Sequence, residues 1–235
     1  MTGVRDLTYL LVHGAWGGAW CWALLGEEFE RRDVMFETVD LPSSTPHAHA
    51  ETYLIDDARD VAELANESGP VVLVGHSYAG CVITEAAPLV NDLRGLIYVA
   101  ALLPLVGESA SDASRAAGVR TALDEAIYVE GERAFLRPEL AKVALYQDCE
   151  EALANWALER LTSQTLASFR SPRGSGDVAA PRRYVVCEED LAIDPKTQAI
   201  MASRCGEVVS MASGHSPFLS RPSTLADLIL APFEG

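Results

Sequence analysis

The sequence predicts an α/β fold: a parallel sheet covered by helices on both faces. Three patterns predict it. Short, continuously apolar runs recur along the chain at 7–12, 34–39, 71–74, 96–100, 183–187 and 207–211, as strands buried on both faces require. Helical spacing of apolar residues fills the gaps between the early runs. One run, Val71-Val72-Leu73-Val74, leads directly into Gly75-His76-Ser77-Tyr78-Ala79-Gly80, where small residues surround a serine.

Taken in order, the run at 7–12 is followed by a helical pattern at 20–31 and the run at 34–39 by another at 52–65. The second pattern starts at a Thr52 N-cap and stops before Ser68-Gly69-Pro70. The alternation ceases near Leu103-Pro104. From there the chain is helical, rich in alanine and charge, with helices expected at 110–125, 138–146 and 150–161 and no strand. Ser171-Pro172-Arg173-Gly174-Ser175-Gly176 reads as a loop, after which strands resume. The expected organisation is therefore one core, 1–102 and 177–235, with a helical cap at 103–176 inserted between two sheet strands.

A chain of 235 residues can bury one good-sized core, and 49% hydrophobic with 22% charged residues is an ordinary globular balance. A net charge of −16 argues against nucleic acid and against anionic membrane surfaces as partners. It also mildly disfavours anionic substrates, although a local pocket can override that. Cys21, Cys81, Cys149, Cys187 and Cys205 lack C-x-x-C spacing, which points to reduced thiols in a cytoplasmic protein. No signal-peptide pattern precedes the first run, and no apolar stretch approaches the roughly 20 residues of a membrane span. Oligomeric state is open, a homodimer included.

The serine at 77 fits a nucleophile elbow, in which a buried strand turns sharply into a helix and presents a hydroxyl at the apex. Steric closure of that turn demands small residues on either side. One departure is visible: Ala79 stands where the usual G-x-S-x-G pattern has its second glycine, which falls one place later at Gly80. A serine nucleophile needs a base and an acid that orients it, carried on loops at the carboxyl ends of later strands. His215, in Gly214-His215-Ser216-Pro217, follows the last strand and is the candidate base. Asp190, in Glu188-Glu189-Asp190 after the run at 183–187, is the candidate acid, with Asp194 as runner-up. Two backbone N–H groups should bind a developing oxyanion: Tyr78, after the nucleophile, and Ala15, in the His13-Gly14-Ala15-Trp16 loop. Gly14 lets that backbone approach a substrate carbonyl. His13 suits a buried structural role, and Trp16, Trp20 and Trp22 suit core and pocket wall. His47 and His49 form an H-x-H without a third ligand, so no metal is expected.

Leu11-Val12-His13-Gly14-Ala15-Trp16, Val39-Asp40-Leu41-Pro42-Ser43-Ser44, Val74-Gly75-His76-Ser77 and Gly214-His215-Ser216-Pro217-Phe218 together resemble the α/β-hydrolases related to plant methylesterases and hydroxynitrile lyases, in particular bacterial pyrethroid-type carboxylesterases. The resemblance spans nearly the whole chain. It implies a six-stranded sheet with a helical cap, Ser77, Asp190 and His215 as catalytic residues, Ala15 and Tyr78 as oxyanion donors, and no cofactor. It also implies a small, largely apolar ester as substrate, lying under the cap against Trp16, Leu103, Leu136 and Trp156. Lyases of the group carry a threonine and a lysine where Gly14 and Ser216 stand, so the resemblance favours hydrolysis over cyanide elimination. Other members use the same residues for non-hydrolytic chemistry, or bind ligands as receptors with vestigial turnover.

Overall fold

The computed structural model describes residues 4–233. In chain order, β1 (Thr8–Val12) leads through a 3₁₀ turn at Ala19–Trp22 into α1 (Ala23–Arg31). There follow β2 (Met35–Val39), α2 (Leu54–Glu67), β3 (Val71–His76), α3 (Ala79–Ala86) and β4 (Leu93–Val99). A long connection then holds α4 (Ala110–Ser114), α5 (Ala122–Ala126), β5 (Ile127–Glu130), β6 (Arg133–Leu136), α6 (Pro138–Tyr146), α7 (Glu151–Leu158), β7 (Gln164–Thr165) and α8 (Leu166–Arg170). The chain closes with β8 (Arg182–Cys187), α9 (Pro195–Ala202), β9 (Glu207–Met211), α10 (Pro217–Ser220) and α11 (Pro222–Leu230).

The main sheet has six strands in the order β2-β1-β3-β4-β8-β9, and every pairing in it is parallel. Side chains alternate across it. Tyr9, Leu11, Val72 and Val74 face a core shared with Leu25 and Phe29 of α1 and Leu225 and Ile229 of α11. Leu10, Val12, Val71 and Leu73 face the opposite core, with Ala58 and Val61 of α2, Val82 and Ile83 of α3 and Met201 of α9. Burial on both faces explains why the central strands read as unbroken apolar runs. Because all six strands run one way, the loops after β1, β3, β8 and β9 emerge at one edge, where the strand order reverses around β1 and β3. That edge is the ligand-binding position of open α/β sheets.

Three local expectations are corrected. The N-cap of α2 is Tyr53, whose N–H donates to Asp56 Oδ2 at 2.8 Å, while the Thr52 carbonyl accepts from Thr165 Oγ1 at 2.9 Å. The single helix expected over 110–125 is two short ones. Each is closed by its own N-terminal carboxylate: Ser109 N–H donates to Asp112 Oδ2 and Thr121 N–H to Asp124 Oδ2. Third, the connection is not wholly helical, because β5, β6 and β7 form a small antiparallel sheet. Its hairpin turns in the two residues between Glu130 and Arg133, with Gly131 at φ 57° supplying the left-handed backbone such turns need. Strands this short, flanked by alanine-rich helices, leave little period-two signal. Among the described residues no helix is long and apolar enough to cross a membrane.

Candidate active site

Ser77 joins β3 to α3 with φ 55°, a left-handed conformation that costs a non-glycine residue about 1–3 kcal/mol. Hydrogen bonds hold it there. Its N–H donates to Val99 O at 3.1 Å, and its carbonyl accepts from Gly80 N at 3.1 Å and Leu102 N at 2.9 Å. Space is equally tight. A Cβ on Gly75 would lie 2.7 Å from Ala79 O, and one on Gly80 would collide with the Leu102 carbonyl. The second obligatory glycine of this turn is therefore Gly80, which is packed against the irregular segment that follows β4. Ala79 is buried among the apolar residues of α3's face, and its methyl is accommodated. Gly14 is close-packed as well, since a Cβ there would lie 2.9 Å from both His76 Nδ1 and Ser77 Cβ.

His215 and Asp190 meet across two strand ends. His215 Nδ1 lies 2.8 Å from Asp190 Oδ2. Asp190 is 3% exposed, and its carboxylate is fully engaged. Oδ1 accepts from Ala192 N at 2.7 Å and Ile193 N at 2.9 Å, and Oδ2 accepts from Gln198 Nε2 at 2.9 Å as well as from the imidazole. A carboxylate that only accepts fixes the His215 tautomer with its proton on Nδ1, leaving Nε2 as the acceptor. Asp194, the runner-up, instead caps α9 by accepting from Lys196 N at 2.8 Å. Glu188 accepts from Ser210 Oγ at an exposed loop end.

The other two histidines near the serine are structural. His13 Nε2 accepts from Leu41 N at 3.0 Å and its Nδ1 donates to Gly14 O at 2.8 Å, which ties the loop after β1 to the loop after β2. His76 Nε2 donates to the His215 carbonyl at 2.8 Å. Burial pushes the pKa of His13 down and that of His76 well down, so both are neutral. Neither the Ala15 nor the Tyr78 backbone N–H has an acceptor among the described residues. The loop between them and the connection is clamped twice: the Trp16 carbonyl accepts from Thr162 N at 2.8 Å, and Trp16 Nε1 donates to Ala134 O at 3.0 Å.

Two cavities meet at Ser77, sharing Ala15, Trp16 and the serine itself. The smaller, about 20 Å³, adds Gly14, Cys21, Leu145, Tyr146, Leu161, His215 and Phe218. The larger, about 270 Å³, runs between Leu102, Ile127, Leu166, Phe169 and Ile193 towards a polar end. Gly14 and Trp16 thus line the site as expected, but Leu103, Leu136 and Trp156 line neither cavity. The Leu102 amide is bound to Ser77, which turns Leu103 into the core, where its N–H meets Met201 Sδ at 3.3 Å. Leu136 ends β6 facing a separate groove with Pro46, Phe135 and Leu161. Trp156 packs edge-on against Trp20, with ring centroids 5.4 Å apart. The residues missed in their place sit on β5 and α8, elements the sequence reading did not resolve. Among the described residues no three His, Cys, Asp or Glu side chains gather as a metal site.

Beneath the elbow lies a buried polar cluster. Asp57 of α2 accepts from Ser43 N at 2.9 Å, Ser43 Oγ at 2.5 Å and Tyr78 Oη at 2.8 Å. Gln164 Nε2 joins it by donating to Ser43 Oγ at 2.6 Å and Ser168 Oγ at 2.7 Å. Burial pushes the Asp57 carboxyl up to about 6, against the pull of its Ser43 and Tyr78 donors.

Comparison with known proteins gives a consistent picture. A family model described as the alpha/beta hydrolase family matches residues 9–228. The chain is 29% identical to the carbendazim hydrolyzing esterase of a Nocardioides species over 95% of its own length and 98% of the relative's. It is 26% identical to methylesterase 1 of Arabidopsis thaliana, over 96% and 95%. Its fold superposes on the crystal structure of a pyrethroid hydrolase from Sphingobium faniae with a TM-score of 0.80 at 22% identity, covering 97% of both chains.

Two outcomes follow from the packing and the cluster. Gly80→Ala is expected to destabilise the fold by about 2 kcal/mol through overpacking, while Ala79→Gly costs at most about 1 kcal/mol, both read by urea unfolding. Asp57 binds a proton in the folded state that the unfolded chain has released between about pH 4 and 6, so its contribution to stability falls as pH rises through that window. The stability gap between wild type and Asp57→Asn should therefore be wider near about pH 4.5 than near about pH 7.5 in the same assay.

Proposed function

The chain belongs to the alpha/beta hydrolase family, and on that premise we propose that it hydrolyses carboxylic esters through an acyl-enzyme formed on Ser77. The observation that carries this reading is the His215 Nδ1 to Asp190 Oδ2 bond, made to a carboxylate with no spare valence and leaving Nε2 to serve the cavity that also holds Ser77. Esterases among the relatives support the same chemistry.

In this mechanism His215 Nε2 takes the Ser77 proton as Oγ attacks the ester carbon. The tetrahedral oxyanion is received by the Ala15 and Tyr78 N–H groups, each such donor being worth about 3 kcal/mol in the transition state. Asp190 holds the tautomer and stabilises the imidazolium. His215 then returns the proton to the departing alkoxide, the alcohol leaves, and a water deprotonated by the same imidazole releases the acid. His13, with both ring nitrogens bonded to backbone, and His76, bonded to the His215 carbonyl, leave His215 as the base of the site.

The two cavities support a division of the ester into halves. The leaving oxygen has to reach His215 to be protonated, and His215 lines only the smaller of them. An alcohol the size of methanol fits there, with the acyl group in the 270 Å³ cavity beneath the connection, which acts as the cap. A methylesterase among the relatives agrees with that division. Cyanohydrin cleavage is disfavoured by the packing around Gly14, which leaves no room for a threonine side chain against His76 and Ser77. Five unbridged thiols favour a reducing, cytoplasmic setting.

Ser77→Ala and Asp190→Asn are each expected to lower kcat/KM on a p-nitrophenyl ester by about 10³–10⁴-fold, and a fluorophosphonate should label wild type stoichiometrically at Ser77. Full activity in Ser77→Ala would overturn the proposal, and failure of the folded protein to label would favour a binding protein. Across methyl, ethyl and isopropyl esters of one acid, kcat/KM should fall by about tenfold or more for each added carbon.

A further inference from the structure

The larger cavity changes character along its length. Near Ser77 it is buried and apolar, with Trp16 at 3% and Leu102 at 5% exposure. Its exposed lining is Ser114, Asp124, Val129 and two arginines, Arg115 after α4 and Arg170 at the end of α8, with Ser111 and Thr121 half-buried. In a chain with 34 acidic and 18 basic residues, arginines are readily satisfied. Arg94 pairs with Asp92, Arg182 with Asp177, Arg183 with Glu207, and Arg32 with Glu28 and Asp227. Among the described residues Arg115 and Arg170 have neither an ion pair nor a side-chain hydrogen bond, a condition they share with Arg120, which lies outside the cavity. Asp124, in the same lining, and Asp112, beside Arg115, are engaged elsewhere: Asp124 Oδ2 accepts from Thr121 N and Oγ1, and Asp112 Oδ2 from Ser109 N and Oγ. Arg115 acts on Asp112 only through the field, helping to lower its pKa after the Ser109 hydrogen bonds.

Two unpaired guanidiniums at the mouth of an apolar cavity match one kind of ligand. Its apolar stretch ends in a planar anion that accepts paired N–H donors, and a carboxylate meets that description. We propose that the acyl group of the substrate carries a carboxylate remote from the scissile ester, held by Arg115 and Arg170, so that the preferred substrates are half-esters of dicarboxylic acids joined by an apolar chain. The inference rests on the ester-hydrolase reading for the scissile end and on the arginine pair for the other. It also reconciles a strongly acidic protein with an anionic substrate: repulsion by the surface as a whole is answered locally at the cavity mouth.

The test compares initial rates on the monomethyl and dimethyl esters of octanedioic acid at low ionic strength. Wild type should favour the half-ester by about tenfold in kcat/KM, mostly through KM, and salt should erode the preference. Arg115→Gln/Arg170→Gln should bring the ratio of the two substrates close to one, whereas Arg120→Gln, an exposed arginine outside the cavity, should leave the ratio intact. A wild-type ratio at or below one, or a ratio kept by the double variant, overturns the proposal. Calorimetric binding of both esters to Ser77→Ala separates the two readings. If neither ester is hydrolysed by wild type but the half-ester binds more tightly in an Arg115- and Arg170-dependent way, ester hydrolysis falls and carboxylate recognition stands. If both esters are hydrolysed and bound alike, recognition falls and hydrolysis stands.

Discussion

The backbone of Ser77 is the constraint on which the site depends. A serine at φ 55° is held in place only because its amide and carbonyl are both taken, by Val99 on one side and by Gly80 and Leu102 on the other. Those bonds bring the segment after β4 against the start of α3 so closely that a Cβ on Gly80 would meet the Leu102 carbonyl. The same strain exposes the hydroxyl to a cavity and turns the following amide, Tyr78, away from any protein acceptor. Position, exposure and donor geometry are thus one backbone decision, stabilised by the hydrophobic packing of both faces of the sheet.

Asp190 and His215 are fixed by a different logic. Asp190 lies in a loop, yet four donors surround it, two from the loop's own amides and one from Gln198 on α9. A buried carboxylate is costly unless its lone pairs are filled, and here the filling also immobilises it. Asp57 plays a comparable part below the elbow, where it gathers Ser43 and the Tyr78 hydroxyl, although burial leaves it much easier to protonate.

Much of this was legible in the sequence. Six apolar runs mark the six strands, and Ser77, Asp190 and His215, each read just after one of them, come together because strand ends in a parallel sheet converge on one edge. The departure at Ala79 has its explanation in the packing, which asks for glycine at 80 where the usual pattern has it at 79. What stayed hidden was the connection. Its strands are four, four and two residues long, and the side chains it offers to the cavity depend on a hairpin whose register no helical periodicity reports. Leu103, Leu136 and Trp156 are apolar residues of the expected region, and each points elsewhere for reasons of local hydrogen bonding or packing. The Asp57 cluster was equally invisible, since it joins residues from α2, the loop after β2, the elbow and β7.

The double attachment of Trp16 to the connection has a mechanical consequence. Its carbonyl is held by Thr162 and its indole by Ala134, so the roof over the cavity and the loop behind Ala15 move as one piece. Lifting the roof would pull that loop out of register with Ser77. A displacement of the connection would therefore break both bonds or disturb the loop that carries Ala15 beside Ser77.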